Sequence, residues 1–404
     1  MVSGKPERGA SKILVVTFVS LSVDAGGPAK LAIGIARALH RENRLQGVVS
    51  PHIALEVLNL PAARVHSPPH PLFQRLLGRL LAMSPGMTEA KRRRIRESLF
   101  DFFLSRSSLL RDADAILFLK PTFPQSASRA TALGVPSFVW ASILSPDFNR
   151  DQVITERQKW NIDGGQAYTD GRRIETLKQF FARVGHILVG SRLAHRSYSE
   201  SDMPAGKISL IEGNFAVDLE SFSPSPRKAT DSTFRVIHVS QMNIIKGIGY
   251  LLSAWSKANL DSAELVLVGS MEPEIAELCR RMEVPSLRTE GFAQDVSAQL
   301  SQADVFVSPS VADLHPYTVL EAMACGVPVI VSDQCGISSA VDHGQNGFVY
   351  PYADTDKLAT HLRWCRENPE ELAIMGNAAR EKALQYTMEN FSNSLLCEID
   401  RING

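Results

Sequence analysis

The chain has 404 residues, 44% of them hydrophobic and 21% charged, with 43 Lys+Arg against 43 Asp+Glu. That length favours two domains, the composition excludes a disordered or fibrous chain, and no apolar run reaches the roughly 18 residues of a membrane-spanning helix. The charge is unevenly spread: residues 1–225 carry 29 basic and 20 acidic side chains and residues 226–404 carry 14 and 23, so anionic partners are expected on the first part.

Lys5, Arg8 and Lys12 precede an apolar stretch over 13–23 in the manner of a signal peptide. The stretch runs into Gly26-Gly27 and an amphipathic segment rather than a cleavage site. The reading is therefore a strand over 13–18, a glycine turn over 24–28 and a helix over 29–39. Residues 47–60 give a further strand and turn.

The stretch 68–110 departs from strand–helix alternation. Between residues 70 and 100 it contains seven basic residues, from Arg75 to Arg96, and two acidic ones, interleaved with Leu76-Leu77, Leu80-Leu81 and Ile95. Such a segment lies on an anionic membrane surface, holds a phosphate-bearing acceptor, or is a helical pair with solvated arginines. No aromatic-interleaved basic pattern accompanies it, so nucleic acid is not expected as a partner.

Strands follow at 115–119, 136–140 and 187–191. Asp112-Ala113-Asp114 has a form that can hold a divalent ion, but it stands alone and reads as a polar helix-to-strand junction. Residues 207–211 and Val217-Asp218-Leu219-Glu220-Ser221-Phe222-Ser223-Pro224 close the first part. A proline-bearing linker spans 223–232.

Alternation restarts with a strand at 234–239, followed by Ser240-Gln241-Met242-Asn243-Ile244-Ile245-Lys246-Gly247, and with another at 265–269. The five cysteines, Cys279, Cys325, Cys335, Cys365 and Cys397, lie in this part without Cys-x-x-Cys spacing. They point to a reducing, cytoplasmic setting, and no structural metal or disulfide framework is expected.

The most informative stretch is 308–333. An apolar strand over 305–307 ends at Ser308-Pro309-Ser310. Pro316 and the helix formers of 318–325 give a short helix, Gly326 stops it, and 327–331 is a second buried strand. The loop from Asp313 to Tyr317 then lies beyond a parallel strand's carboxyl end, where open α/β sheets bind ligands, and the start of the helix favours a phosphate.

Leu320-Glu321-Ala322-Met323-Ala324-Cys325-Gly326-Val327-Pro328-Val329, with the acidic Asp313 separated from Glu321 by seven residues, resembles the nucleotide-sugar segment of retaining GT-B glycosyltransferases of family 4. Val217 to Pro224, Lys246-Gly247 and Gly26-Gly27 are similar to further parts of that family's pattern. The resemblance implies an α/β GT-B fold of two Rossmann-like domains facing a cleft. It implies an acceptor domain over 1–225, a donor domain over 226–385 and a terminal helix over 386–404 that crosses back to the first domain.

It also implies transfer of a sugar from a UDP- or GDP-sugar to a glycan, lipid-linked or small-molecule acceptor, without a metal. Lys246 and the amides around His315 to Thr318 would face the donor diphosphate, with Pro316 and Tyr317 in the same donor-binding loop, Glu321 would face the ribose, and Asp313 the sugar hydroxyls. Gly26, Gly27, Gln241 and Gly247 would line the donor cleft, and the segment 288–292 would lie beside the nucleoside base. Three positions depart from the family: Gln241 stands for Arg, Asp313 for Glu, and Ser142 where a histidine is usual. Those departures keep a non-catalytic nucleotide- or glycan-binding protein open, and an NDP-sugar epimerase shares the architecture. Asp–Glu replacement removes one methylene of reach.

Overall fold

The computed structural model describes residues 11–21, 27–69, 71–84, 87–163, 169–201, 203–225 and 233–404. Gly26 and residues 226–232 of the expected linker lie outside them.

In the first part the elements are β1 (Ile13–Val16), α1 (Gly27–Arg41), β2 (Leu45–Val49), α2 (Leu55–Leu58), β3 (Val65–His66), α3 (Pro71–Ala82) and α4 (Glu89–Ser105). They continue with β4 (Ala115–Phe118), α5 (Pro124–Leu133), β5 (Ser137–Trp140), α6 (Pro146–Trp160), α7 (Gly171–Arg183), β6 (His186–Val189), α8 (Arg192–Ser199) and β7 (Ile208–Leu210). The second part has β8 (Phe234–Val239), α9 (Ile248–Ala258), β9 (Ala263–Val268), α10 (Pro273–Met282), β10 (Leu287–Glu290) and α11 (Val296–Ser301). It ends with β11 (Val305–Ser308), α12 (Tyr317–Ala324), β12 (Val329–Ser332), β13 (Gly347–Tyr350), α13 (Thr355–Glu367), α14 (Pro369–Ala383) and α15 (Met388–Asn403).

The strands form two sheets, ordered β3-β2-β1-β4-β5-β6-β7 and β10-β9-β8-β11-β12-β13, with parallel pairing throughout. This explains why their central strands read as unbroken apolar runs: helices cover both faces, and β1, β4, β11 and β12 are buried along their whole length. Strand order reverses between β1 and β4 and again between β8 and β11. Those two reversals are where a crevice opens at the carboxyl ends of the strands.

Two sequence expectations shift. Gly27 and Pro28, read as part of a turn, are the first residues of α1, where a proline's missing N–H costs nothing. Pro316 is the residue before α12 rather than inside it. The stretch 68–110 is a helical pair, α3 and α4. Asp114 accepts the Lys12 N–H at 2.8 Å, so it fixes a strand start.

The last helix, α15, lies on α1, with Phe391, Leu395, Leu396 and Ile399 sharing a core with Leu31, Ile35 and Leu39. Arg44 grips Asp400 through both guanidinium nitrogens, at 2.9 and 2.6 Å. Elsewhere Glu156 of α6, fully buried, accepts from Tyr250 Oη at 2.9 Å, from Trp160 Nε1 at 3.1 Å and from Tyr352 Oη. The first set of contacts fastens the C-terminal helix to the first sheet, and the Glu156 cluster joins α6 to the second part. Among the described residues no helix is long and apolar enough to cross a membrane.

Candidate functional site

The two strand-order reversals face each other across a cleft of about 660 Å³. Its walls come from the residues just after β1, β4 and β5 on one side and just after β8, β9 and β11 on the other. Gly27, Gln241, Lys246, Asp313, His315, Pro316, Tyr317, Thr318 and Glu321 all line it, so the structure brings together nearly every site residue expected from the sequence.

The turn after β8 is built around Gly247, which has φ +69° and closes the short 3-10 turn Ile244–Lys246. A Cβ there would sit 2.0 Å from the Pro309 carbonyl oxygen, so this turn touches the loop after β11 backbone to backbone. The Val311 N–H donates to Ile245 O at 2.9 Å and locks the same approach. Only glycine combines that left-handed conformation with that proximity.

The approach places Lys246 against Asp313. The ammonium Nζ pairs with Asp313 Oδ2, which also accepts from Ser310 Oγ at 3.4 Å. The two residues that the sequence assigned to diphosphate and sugar are therefore ion-paired with one another. Behind them His238 is buried, its ring nitrogens 2.8 Å from Val307 O and 2.7 Å from Ser240 Oγ. Burial holds its pKa down at about 4, so it packs as a neutral ring.

No side chain caps the start of α12. Within its first turn the Tyr317 amide donates to His315 O at 2.8 Å and the Val319 amide to Pro316 O at 2.9 Å. The Thr318 amide between them has no partner among the described residues. Of the expected row, the Tyr317 amide is thus already used, and the Thr318 amide remains at the positive end of the helix dipole.

One turn further, Glu321 also faces the cleft. Burial raises its pKa to about 7, and Lys30 of α1 pulls in the opposite direction. Lys30 in turn pairs with Asp218 of the Val217–Pro224 run at 3.5 Å. Gly27 closes this corner, since a Cβ there would meet the Tyr317 ring at 3.0 Å.

His315 is stacked between Trp140 and Tyr317, with ring centroids 5.6 and 5.9 Å apart. Burial pushes its pKa down to about 4. Its Nε2 and the nearby Trp140 Nε1, Ser142 Oγ and Asn149 Oδ1 are buried without hydrogen-bond partners among the described residues. All four residues line the cleft, so their unsatisfied polar atoms mark a surface prepared for a polar ligand.

Sequence reasoning missed Lys120, Trp140 and Asn149. Lys120 had a legible signal: it ends the apolar run Ala115-Ile116-Leu117-Phe118-Leu119 at a position where a buried strand delivers its next side chain to the ligand edge. Trp140 and Asn149 gave none, because their role depends on the second domain's loop lying opposite.

Residues 233–368 match the family model described as glycosyl transferases group 1. Among curated relatives, the putative colanic acid biosynthesis glycosyltransferase WcaL of Escherichia coli (strain K12) is 28% identical over 219 residues, covering 51% of this chain and 53% of that protein. A sulfoquinovosyl transferase of Arabidopsis thaliana is 30% identical over 189 residues, covering 43% of this chain and 36% of that protein. The chain spans about half the length, or less, of these relatives.

Similarity of fold extends over the whole chain. A sucrose-phosphate synthase from Thermosynechococcus elongatus aligns with TM-score 0.70 at 18% identity, covering 97% of this chain and 99% of that one. HepE of Anabaena, in complex with UDP, aligns with TM-score 0.65 at 18% identity, covering 96% and 100%. Architecture thus shows a GT-B fold, and residues 233–368 are similar in sequence to the group 1 glycosyl transferases.

Proposed function

We propose that the protein is a retaining, metal-independent glycosyltransferase that moves a sugar from a UDP- or GDP-sugar to a glycan, lipid-linked or small-molecule acceptor. The observation that carries this reading is the convergence of Lys246, the uncapped start of α12 and Glu321 on one wall of the cleft. Breaking the bond between the anomeric carbon and the diphosphate oxygen leaves negative charge on the departing diphosphate. Fixed cations and amides aimed at that charge lower the barrier because they are in place before it develops.

Lys246 and the Thr318 amide take that role, Glu321 accepts from the ribose hydroxyls, and Asp313 faces the sugar. Phe292, 86% exposed at the rim, is placed to stack on the base. For retention, the acceptor hydroxyl adds to the anomeric carbon on the face the diphosphate leaves, and the departing oxygen takes the acceptor's proton. HepE is known in complex with UDP-glucose, which supports a UDP-sugar in first place.

The test is a thermal-shift series with UDP, GDP, ADP and their sugars, followed by donor hydrolysis and transfer. No shift with any nucleoside diphosphate and no turnover would sink the reading.

The Lys246–Asp313 pair favours one rival, a non-catalytic binding protein, because Asp313 draws on the charge the diphosphate needs. Robust wild-type turnover eliminates it, whereas a Gln241→Arg/Asp313→Glu variant that still fails to turn over supports it. An NDP-sugar epimerase is separated by its product, which forms without any acceptor. Peripheral contact with an anionic membrane between Arg75 and Arg96 is also proposed. It is supported by the exposed row Leu72, Phe73, Leu76, Leu80 and Met83 on and just after α3.

A further inference from the structure

A second recess, of about 240 Å³, opens in the first part of the chain between α4, α7 and the loop after β4. Lys91, Arg93 and Arg94 of α4 and Arg173 of α7 line it, with Thr122 at its floor. The carboxylates in its wall are already committed. Glu97 accepts from Arg93 Nε at 2.8 Å, and Asp170 accepts the Arg172 and Arg173 amides at 2.9 and 3.2 Å and Arg94 Nη1 at 3.4 Å. Asp101 accepts the Gln125 and Ser126 amides at 2.8 and 2.9 Å, holding the first turn of α5.

The cations are not matched in the same way. Lys91, Arg173 and Lys120 form no side-chain hydrogen bond or ion pair among the described residues. Lys120 is the bridge between the two sites. Its side chain lines the donor cleft, and it lies close enough to Arg93 and Arg173 for their charges to act on it. Its pKa is lowered to about 8, first by burial and then by those two guanidinium groups. Thr122, only 8% exposed, has a buried Oγ1 with no hydrogen-bond partner among the described residues. Glu97, paired with Arg93, offsets only part of this positive charge, and a buried hydroxyl without a partner beside an excess of cations is costly unless something else completes them.

The geometry points to a phosphoryl-binding site: Lys120, Arg93 and Arg173, with Thr122 Oγ1 donating, receive a phosphate or diphosphate carried by the acceptor. Planar guanidinium groups and an ammonium suit a phosphoryl group's several oxygens. Because Lys120 lines the donor cleft and lies within charge range of Arg93 and Arg173 of the recess, the acceptor's hydroxyl is then held toward the donor sugar. This inference rests on the transferase reading above and specifies its acceptor class.

The test uses the full chain and inorganic pyrophosphate as probe. Pyrophosphate should raise the Tm of the wild type and of Lys246→Ala, whose donor-side cation is gone. With Lys246→Ala also present to remove the donor-side cation, Lys120→Gln/Arg173→Gln should abolish the shift, or require about tenfold more pyrophosphate or higher, the scale of a lost charge-assisted hydrogen bond. Thr122→Val, which keeps the shape and removes the hydroxyl, should weaken the response without unfolding the chain and decides the matter if the double variant does not fold. A pyrophosphate response unchanged in these variants overturns the inference.

UDP separates the two readings. A protein that responds to UDP, while its pyrophosphate shift survives the variants, loses the recess and keeps the transferase reading. A protein that binds pyrophosphate through the recess but responds to no nucleotide keeps the phosphoryl site and loses its assignment to an acceptor. Farnesyl phosphate against inorganic phosphate identifies the source: tighter binding of the prenyl compound indicates a lipid-linked acceptor, and equal binding a soluble phosphorylated one.

Discussion

Lys246, Gly247 and Asp313 form one unit, and each constrains the others. Lys246 supplies positive charge, Gly247 lets its turn reach the loop after β11, and Asp313 receives the ammonium. Lys246→Ala should lower kcat/KM by about 10²–10³-fold, on the order of 2–4 kcal/mol, as for loss of one strong transition-state donor. Normal kcat/KM in that variant would show that the diphosphate is held elsewhere. Gly247→Ala must relieve both a left-handed backbone and a Cβ 2.0 Å from the Pro309 oxygen. It should destabilise the fold by about 2 kcal/mol or more, read as a lower urea midpoint. An unchanged midpoint would mean that the turn relaxes freely. Lys246-Gly247 was visible in the sequence as a pair, but its partnership with Asp313 was not, because the two residues are 67 positions apart along the chain and only the pairing of β8 with β11 closes that gap.

On the scale of elements, α12 is the proposed seat of donor binding, and α3 with α4 are the proposed contacts of anionic partners. Glu321 titrates near 7 because burial raises its pKa. Below that pH it is protonated and loses acceptor capacity for a ribose. The donor KM should therefore rise as pH falls from about 8 to about 6, either side of that value, and Glu321→Gln should flatten that dependence; a wild-type KM insensitive to pH would remove the ribose role. On α3, Leu76 and Leu80 are 59% and 66% exposed on one helix face. Leu76→Ser/Leu80→Ser should reduce flotation with phosphatidylglycerol vesicles, since exposed apolar area and nearby cations act together at a membrane surface. Unchanged flotation would dismiss the membrane contact. The helical pair was among the alternatives read from the basic segment. Its division of labour was not, because consecutive residues of α4 take different surroundings: Arg93 and Arg94 enter the recess, whereas Arg92 reaches Ala82 O.

Across the whole molecule, the two sheets are joined by the His315–Trp140 stack, the Glu156 cluster and α15. His238 and His315 are held neutral by burial, with pKa values near 4 in the fold against about 6.5 in an unfolded chain. The unfolded state therefore takes up protons that the folded state refuses. The corresponding stability is fully present above about pH 6.5 and is lost as pH falls from there towards 4, by about 1.4 kcal/mol per unit for each ring. Urea midpoints at about pH 7.5 and about pH 5.5 should differ accordingly, and His238→Asn should reduce the difference. Equal midpoints in the wild type would show that these rings are reached by water.

By itself the sequence determined the parallel α/β architecture, the short helix after Asp313, and the Lys246-Gly247 pair and the run around Glu321 as two separate local motifs. These are recorded locally, in runs of apolar residues, glycine and proline positions and continuous motifs. Only the tertiary structure decided that Lys246 is paired with Asp313, that Trp140 backs His315, and that Lys120 links the donor cleft to a basic recess. Each of those facts joins residues from different strands, and their meeting is fixed by sheet order and by the packing of one Rossmann-like layer against the other.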